Sequence, residues 1–181
     1  MPQISLVGRS QASGSAREAF ERKIAERGNI PNMYRVFGHR PWLLSTMDAH
    51  FAAVMGSGTV PVKLKELLAL QTSLENECVY CAASHTVLAE RTGATPEQVA
   101  ELLEFEAGPY TDREKAALRF GLQMTRDSNR IPESTFTALR AHFDEGEIVE
   151  IAAVVGLFAY FNRFNNAFAL APTKPGEGVG T

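Results

Sequence analysis

The chain has no Lys/Arg run longer than two residues, only two cysteines and no uninterrupted apolar stretch of membrane-spanning length, which takes roughly 20 residues. Each shortage excludes something. A nucleic-acid partner leaves a basic stripe, whereas this sequence carries a net charge of −3 and a pI near 5.8, so no nucleic acid is expected as a partner. Its richest apolar stretch, Ile148 to Leu170, is broken by Asn162, Arg163, Asn165 and Asn166, so no membrane is expected either. Met1 to Ser15 is poor in apolar residues and carries no h-region of a secretory signal. The expectation is a cytoplasmic protein, a setting in which a structural disulfide is disfavoured and a close cysteine pair points to redox or metal chemistry. With 181 residues, 45% of them hydrophobic and 22% charged, the chain can bury a core without staples. Folding does not require its cysteines.

Period-two alternation of β-branched residues is also absent, as are internal repeats, and start and stop signals recur at helix-length spacing. The pattern predicts an all-α fold. Ser15 to Arg27 carries Ala16, Ala19, Phe20 and Ile24, with Gly28 to end it; Asn32 to Phe37 forms a short segment. Pro41 opens a helix with Trp42, Leu43, Met47, Phe51 and Val54 on one broad face, closed by Gly56 and Gly58. Pro61 stands where a first helical turn tolerates proline, and that helix runs to about Leu74. After the polar break Glu75-Asn76-Glu77, helical spacing resumes from Cys78 to Arg91, with Gly93 as its terminator. Thr95 to Gln98, Thr111 to Glu114 and Asp144 to Glu147 have capping-box spacing. They predict helices to about Phe105, Arg126 and Leu170 respectively. Pro132 begins one more helix, ending near His142. A single domain is expected over 1–170, with its core at about 41–125; the Pro- and Gly-rich 171–181 is expected to be a flexible tail.

The informative segment is Cys78-Val79-Tyr80-Cys81 followed by His85. At about 100° per residue, Cys81 and His85 fall within about 60° of Cys78 on a helix, so all three share one face. Cys81 and His85, spaced i, i+4, are direct neighbours. Cys78 lies at the helix start, where unpaired backbone N–H groups favour an anion. Such surroundings lower a thiol pKa from about 8.5, and the thiolate is the nucleophile. A second cysteine one turn away can resolve a sulfenic acid or mixed disulfide. Glu66, on the preceding helix, is the candidate to set the tautomer of His85.

Other readings compete. Two buried cysteines can be inert core residues. Cys78, Cys81, His85 and Glu66 are zinc-ligand types, but a triple on one helix gives crowded coordination and no second Cys/His cluster supports it; no metal and no cofactor are expected. Covalent haem needs histidine directly after the second cysteine, and position 82 is Ala. His39, His50 and His142 lie on separate elements without a neighbouring cysteine and read as structural or exposed. Arg163, beside Asn162 on the apolar last helix, reads as an ion-pair partner or as a polar wall of the substrate pocket, because an unpaired buried Arg is costly.

Glu66-x11-Cys78-x2-Cys81-x3-His85 resembles the active-site signature of the alkylhydroperoxidase/carboxymuconolactone decarboxylase-like superfamily (AhpD-like), matching in the spacing of all four residues. Ile30 to Tyr34 and His39-Arg40-Pro41 resemble the opening region of longer members, and Phe161 to Asn166 resembles their closing helix. The resemblance implies an all-helical fold around a helical hairpin, with the Cys pair on the first turn of its second helix. The last helix is apolar over much of its circumference, which points to a homo-oligomer, and the resemblance implies that it is a trimer or a hexamer. It also implies thiol-dependent reduction of a peroxide, with Glu66 and His85 relaying a proton and a dithiol electron donor restoring the cysteines. Contact with His85 favours Cys81 as the first attacker; placement at the helix start favours Cys78. Tyr80 stands where some peroxidase members have histidine, and it is a candidate substrate-binding residue alongside Arg163. Carboxymuconolactone decarboxylases typically lack the Cys pair, so a lyase acting on a lactone acid is the alternative enzyme reading. A redox-sensing protein without turnover is the non-enzymatic one.

Overall fold

The computed structural model describes residues 1–180, and among these every regular element is helical. The α-helices are α1 (Gly14–Arg27), α2 (Asn32–Phe37), α3 (Pro41–Met55), α4 (Val62–Glu75), α5 (Val79–Arg91), α6 (Pro96–Ala100), α7 (Asp112–Asp127), α8 (Glu133–Arg140) and α9 (Glu145–Ala167). A 3-10 turn, Leu102–Glu104, follows α6. No helix among the described residues is long and apolar enough to cross a membrane. The chain divides into two compact units, one made of 1–53 with 164–180 and the other of 54–163.

In the larger unit α4 is the central element. Every residue from Leu64 to Ser73 is buried, because α5 packs on one side of it and α7 on another. Leu64, Leu67, Leu68 and Leu70 meet a core that includes Ala117, Leu118, Val154, Val155 and Phe158. Each such aliphatic side chain contributes about 1.5–3 kcal/mol on burial. Gly121 lets α7 approach: a Cβ there would lie 2.8 Å from Leu68 Cδ2. The three capping boxes form as the spacing predicts, with Thr95/Gln98, Thr111/Glu114 and Asp144/Glu147 exchanging side-chain to backbone bonds. The helix expected from Thr95 to about Phe105 is instead the short α6 followed by the 3-10 turn.

One buried charge anchors the loop before α4. Lys65 is 1% exposed, and its Nζ donates to Val54 O (2.9 Å) and Gly56 O (3.0 Å) while pairing with Glu150 Oε2 at 2.9 Å. Glu150 also accepts from Thr59 N and Oγ1 at 3.0 and 2.7 Å. The bonds from Lys65 and Thr59 outweigh desolvation and depress the Glu150 carboxyl to about 2. A carboxyl depressed by folding contributes stability above its unfolded pKa, about 4.3 for Glu, and that contribution is lost as pH falls through the folded value. Thermal melts should therefore show wild type losing stability more steeply than Glu150→Gln on acidification from about pH 4.3 toward 2. Parallel acid profiles for the two proteins would remove this role from Glu150.

In the smaller unit, two expectations change. The tail 171–181 is expected to be flexible, yet as far as residue 180 it folds back on the segment around α2. Ile30 N donates to Glu177 O at 3.0 Å, Asn32 N to Thr173 Oγ1 at 2.9 Å, and Arg35 Nη1 lies 3.8 Å from Glu177 Oε1. Its prolines and glycines make turns that leave carbonyls free to accept from residues 29–35, and Gly178, at φ +80°, brings backbone against Ile30. On α3, Leu44 and Met47 are buried but Trp42 is 67% exposed. At about 100° per residue Trp42 lies about 160° from Leu44 and about 140° from Met47, on the opposite side of the helix from the buried pair.

Candidate functional site

The site grows from the α4–α5 connection. Glu77 adopts a left-handed conformation, φ 53°, directly after α4. Its N–H bonds Leu74 O at 3.0 Å while Cys78 N bonds Ser73 O at 2.8 Å, the bond pair of a Schellman end. A non-glycine residue there is unusual, and nothing in the sequence pattern marks it. Cys78 therefore ends one helix and caps the next. With φ −86° and ψ 91° it is the N-cap of α5, its Sγ accepting from Cys81 N at 3.4 Å. The helix expected from Cys78 begins at Val79, which leaves Cys78 facing the free N–H groups of the first turn. At the other end Gly93, φ 102°, takes the position the sequence assigns to it.

The two cysteines are not joined in a disulfide, and both are buried, Cys78 at 1% and Cys81 at 3% exposure. The Cys78 thiol is lowered to about 7. The Cys81 thiol donating to it is the largest cause; N–H groups of Cys81 and Tyr80 and the Asn162 side chain add to the effect, against desolvation by burial. A thiol near 7 is substantially ionised at neutral pH, where an ordinary one, near 8.5, is mostly protonated.

Glu66, on α4, and His85, on α5, come together as the sequence suggests. His85 Nδ1 and Glu66 Oε2 are 2.6 Å apart, with both side chains 8% exposed. The distance is that of a short, charge-assisted bond in a dry setting. The edge of the His85 ring meets Phe158 of α9 at a centroid distance of 4.5 Å. Bonding through Nδ1 holds Nε2 as the ring's other working position. Cys81, one helical turn before His85, lies on the same buried face of α5.

Tyr80 is buried at the start of α5, and its backbone N–H is among the donors to Cys78. Arg163 does not join this cluster. It is exposed, donates to Ala159 O at 3.0 Å, and lines a separate cleft of about 290 Å³ with residues at the end of α7. Asn162, its neighbour in sequence, instead meets the residues that bracket the turn before Cys78. It is fully buried, with Nδ2 3.1 Å from Ser73 Oγ and Oδ1 3.0 Å from Asn76 Nδ2. Ser73 and Asn76 escape sequence reasoning: a serine inside a leucine-rich helix and an asparagine in a polar break carry no distinguishing signal. No group of three or more His, Cys, Asp and Glu side chains among the described residues could hold a metal ion.

Known proteins share the fold of this chain and part of its sequence. Residues 41–123 match the model of the carboxymuconolactone decarboxylase family. The chain is 30% identical over 105 residues to the uncharacterized protein YdfG of Bacillus subtilis (strain 168), covering 57% of this chain and 71% of that one. Among solved structures, a peroxidase-related protein from Silicibacter sp. TM1040 is 28% identical with a TM-score of 0.81, covering 87% of this chain and 84% of its own. The alkylhydroperoxidase AhpD core of a peroxidase-related protein from Ralstonia eutropha JMP134 shares the fold at 23% identity, with a TM-score of 0.88 and coverage of 96% and 93%. With these matches, the all-helical fold and the Glu66, Cys78, Cys81 and His85 spacing, the chain belongs to the alkylhydroperoxidase/carboxymuconolactone decarboxylase-like superfamily.

Proposed function

We propose that this protein is a thiol-dependent peroxidase. The observation that carries the reading is the buried 2.6 Å bond between His85 Nδ1 and Glu66 Oε2, one helical turn from a cysteine pair whose first thiol is lowered to about 7. In the first step a cysteine thiolate attacks the terminal oxygen of a hydroperoxide. An S–O bond forms, the O–O bond breaks, and the departing alkoxide takes a proton to leave as an alcohol. The cysteine is then a sulfenic acid. In the second step the other cysteine loses its proton and attacks that sulfur; the S–O bond breaks, water leaves, and a Cys78–Cys81 disulfide forms. Two thiols have given two electrons to one peroxide, and an external dithiol returns them by exchange. His85, oriented by Glu66, is suited to take and return the protons.

The relatives described as peroxidase-related support the oxidant class. A lyase acting on a carboxylated lactone is less well supported: Arg163, the cation such a substrate would call for, is exposed and turned to Ala159 O. Turnover of an alkyl hydroperoxide with dithiothreitol as reductant tests the proposal. The expected result is catalytic alcohol formation, with peroxide-treated protein lighter by two hydrogens within a single Cys78–Cys81 peptide. Loss of both thiols without turnover would favour a sensor, and unaltered thiols would exclude redox chemistry at this pair.

A further inference from the structure

The smaller unit, which carries neither cysteine, holds a cleft of its own of about 410 Å³, within the roughly 300–1,000 Å³ common to small-molecule sites. Its floor is Val36 and Phe37 at the end of α2, both buried, with the Phe37 ring stacked on that of Phe164 at a centroid distance of 4.2 Å. Phe168 meets Phe164 edge-on at 4.9 Å, and Leu43 of α3 adds to an apolar lining that solvent partly reaches. Residues 3–7 make the remaining wall and are tied at three points. Gln3 N donates to Phe168 O at 3.0 Å, His39 Nε2 to Ser5 O at 2.9 Å, and Val7 N to Arg35 O at 3.2 Å. Ile4, between the first two ties, lines the cleft with 38% of its surface exposed. Hydrogen bonds, and not apolar contact alone, therefore hold this shape.

One rim of the cleft is cationic. Arg40 is exposed there, and of its guanidinium donors only Nη1 is engaged, with His39 O at 2.8 Å. A guanidinium offers five N–H donors in a planar fork that matches a carboxylate. Among the described residues Arg40 has no acidic partner, and no acidic side chain lines the cleft. By contrast Arg9, Arg17 and Arg22 of the same unit each meet a carboxylate, at 2.7, 2.6 and 2.7 Å. A plain hydrocarbon would leave the guanidinium unused, and a cationic ligand would meet it with no charge to offset it. Contacts between rings add to simple burial, so three phenylalanines favour a ring over an aliphatic chain. We infer that this cleft binds a small aromatic carboxylate, with its ring against Phe164 and Phe168 and its anion at Arg40. The site stands apart from the thiol chemistry proposed for the larger unit and does not rest on it.

Calorimetric titration of the full chain with 2-naphthoate tests this. Wild type should bind the probe saturably, one per chain. 2-Naphthylmethylammonium and 2-naphthalenemethanol carry the same ring with a positive charge or none, and both should bind about tenfold more weakly. Arg40→Gln should weaken naphthoate by a similar factor of about ten, since a charge-assisted hydrogen bond is lost. Arg27→Gln removes the same charge from an exposed position on α1 and should leave the affinity in place. Ile4→Glu sets a carboxylate in the cleft on a side chain already partly in solvent; it should abolish naphthoate binding and strengthen that of the ammonium probe. No saturable heat, equal binding of the three probes, or an affinity that neither Arg40→Gln nor Ile4→Glu moves overturns the inference. An equal loss in Arg27→Gln overturns it as well, because the attraction is then to net charge. Light scattering covers the remaining occupant. An assembled wild type that excludes naphthoate, together with a dissociated Ile4→Glu, would give the cleft to a second copy of the chain and overturn the proposal. Should Ile4→Glu fail to fold, the exposed Arg40→Gln decides alone by the same criterion.

Discussion

Cys78→Ser and Cys81→Ser are each expected to abolish peroxide turnover while leaving the protein folded, and to fail in different ways. Serine is a favoured N-cap residue, so a hydroxyl at position 78 keeps the bond now made from Cys81 N to Sγ. Both positions are buried, and the exchange of sulfur for oxygen leaves only a slightly smaller side chain. Chemistry is another matter, because a dithiol cycle with one sulfur cannot close. In Cys81→Ser the attacking thiolate survives, so one equivalent of peroxide should be consumed in a burst and the resulting sulfenic acid at Cys78 should be trappable by dimedone. In Cys78→Ser no burst should appear near neutral pH, because the thiol lowered to about 7 at the start of α5 is gone. Stopped-flow peroxide consumption followed by mass spectrometry reads both outcomes. Full turnover by either variant would exclude the dithiol cycle; a burst from Cys78→Ser alone would reverse the order of attack.

Glu66→Gln carries the second large effect. The Glu66–His85 pair is buried and 2.6 Å long, and the substitution preserves shape and hydrogen-bonding capacity while removing the charge. General acid–base assistance contributes about 10²–10⁴-fold, and turnover near neutral pH should fall within that range. Alkylation of Cys81 should slow at neutral pH and recover under alkaline conditions, where the thiolate forms unaided. His85→Ala should behave alike, and the double variant should lose less than the two free energies added, since the residues act as one unit. Wild-type alkylation across the whole pH range in Glu66→Gln would reduce Glu66 to a structural partner of His85 and leave the cysteines to react without a relay.

These expectations draw on residues that were visible to very different degrees in the sequence. Cys78, Cys81 and His85 stand within one short helix, where spacing alone places them on a common face. Glu66 lies on another helix and was reachable through the short polar break, which forces α4 and α5 to run back along each other. That break hid its own geometry. A glycine in a left-handed turn announces itself, as Gly93 does, but Glu77 takes the same conformation against its preference because Leu74 and Ser73 bond the backbone on either side of it. The tail misleads for a related reason. Proline and glycine report turns and equally report disorder, and only the acceptors offered to Ile30 and the partners of Asn32 separate the two.

By itself the sequence determined what local chemistry can determine: an all-helical chain, its helix starts at the three capping boxes, the Cys78-x2-Cys81-x3-His85 motif, and the family to which that motif points. These depend on neighbours within about one or two helical turns, where 3.6-residue geometry makes spacing equivalent to position. The tertiary structure decided what depends on residues far apart in the chain. It turned Asn162 toward Ser73 and Asn76 at the α4–α5 turn and Arg163 toward solvent, although the two are adjacent and both polar. Neighbours on a helix point about 100° apart, so one faced the packed interior beside Ser73 and Asn76 and the other did not. No periodicity in so uniformly apolar a helix could state which, because that choice is made by the surfaces of α4 and α5 against which α9 packs.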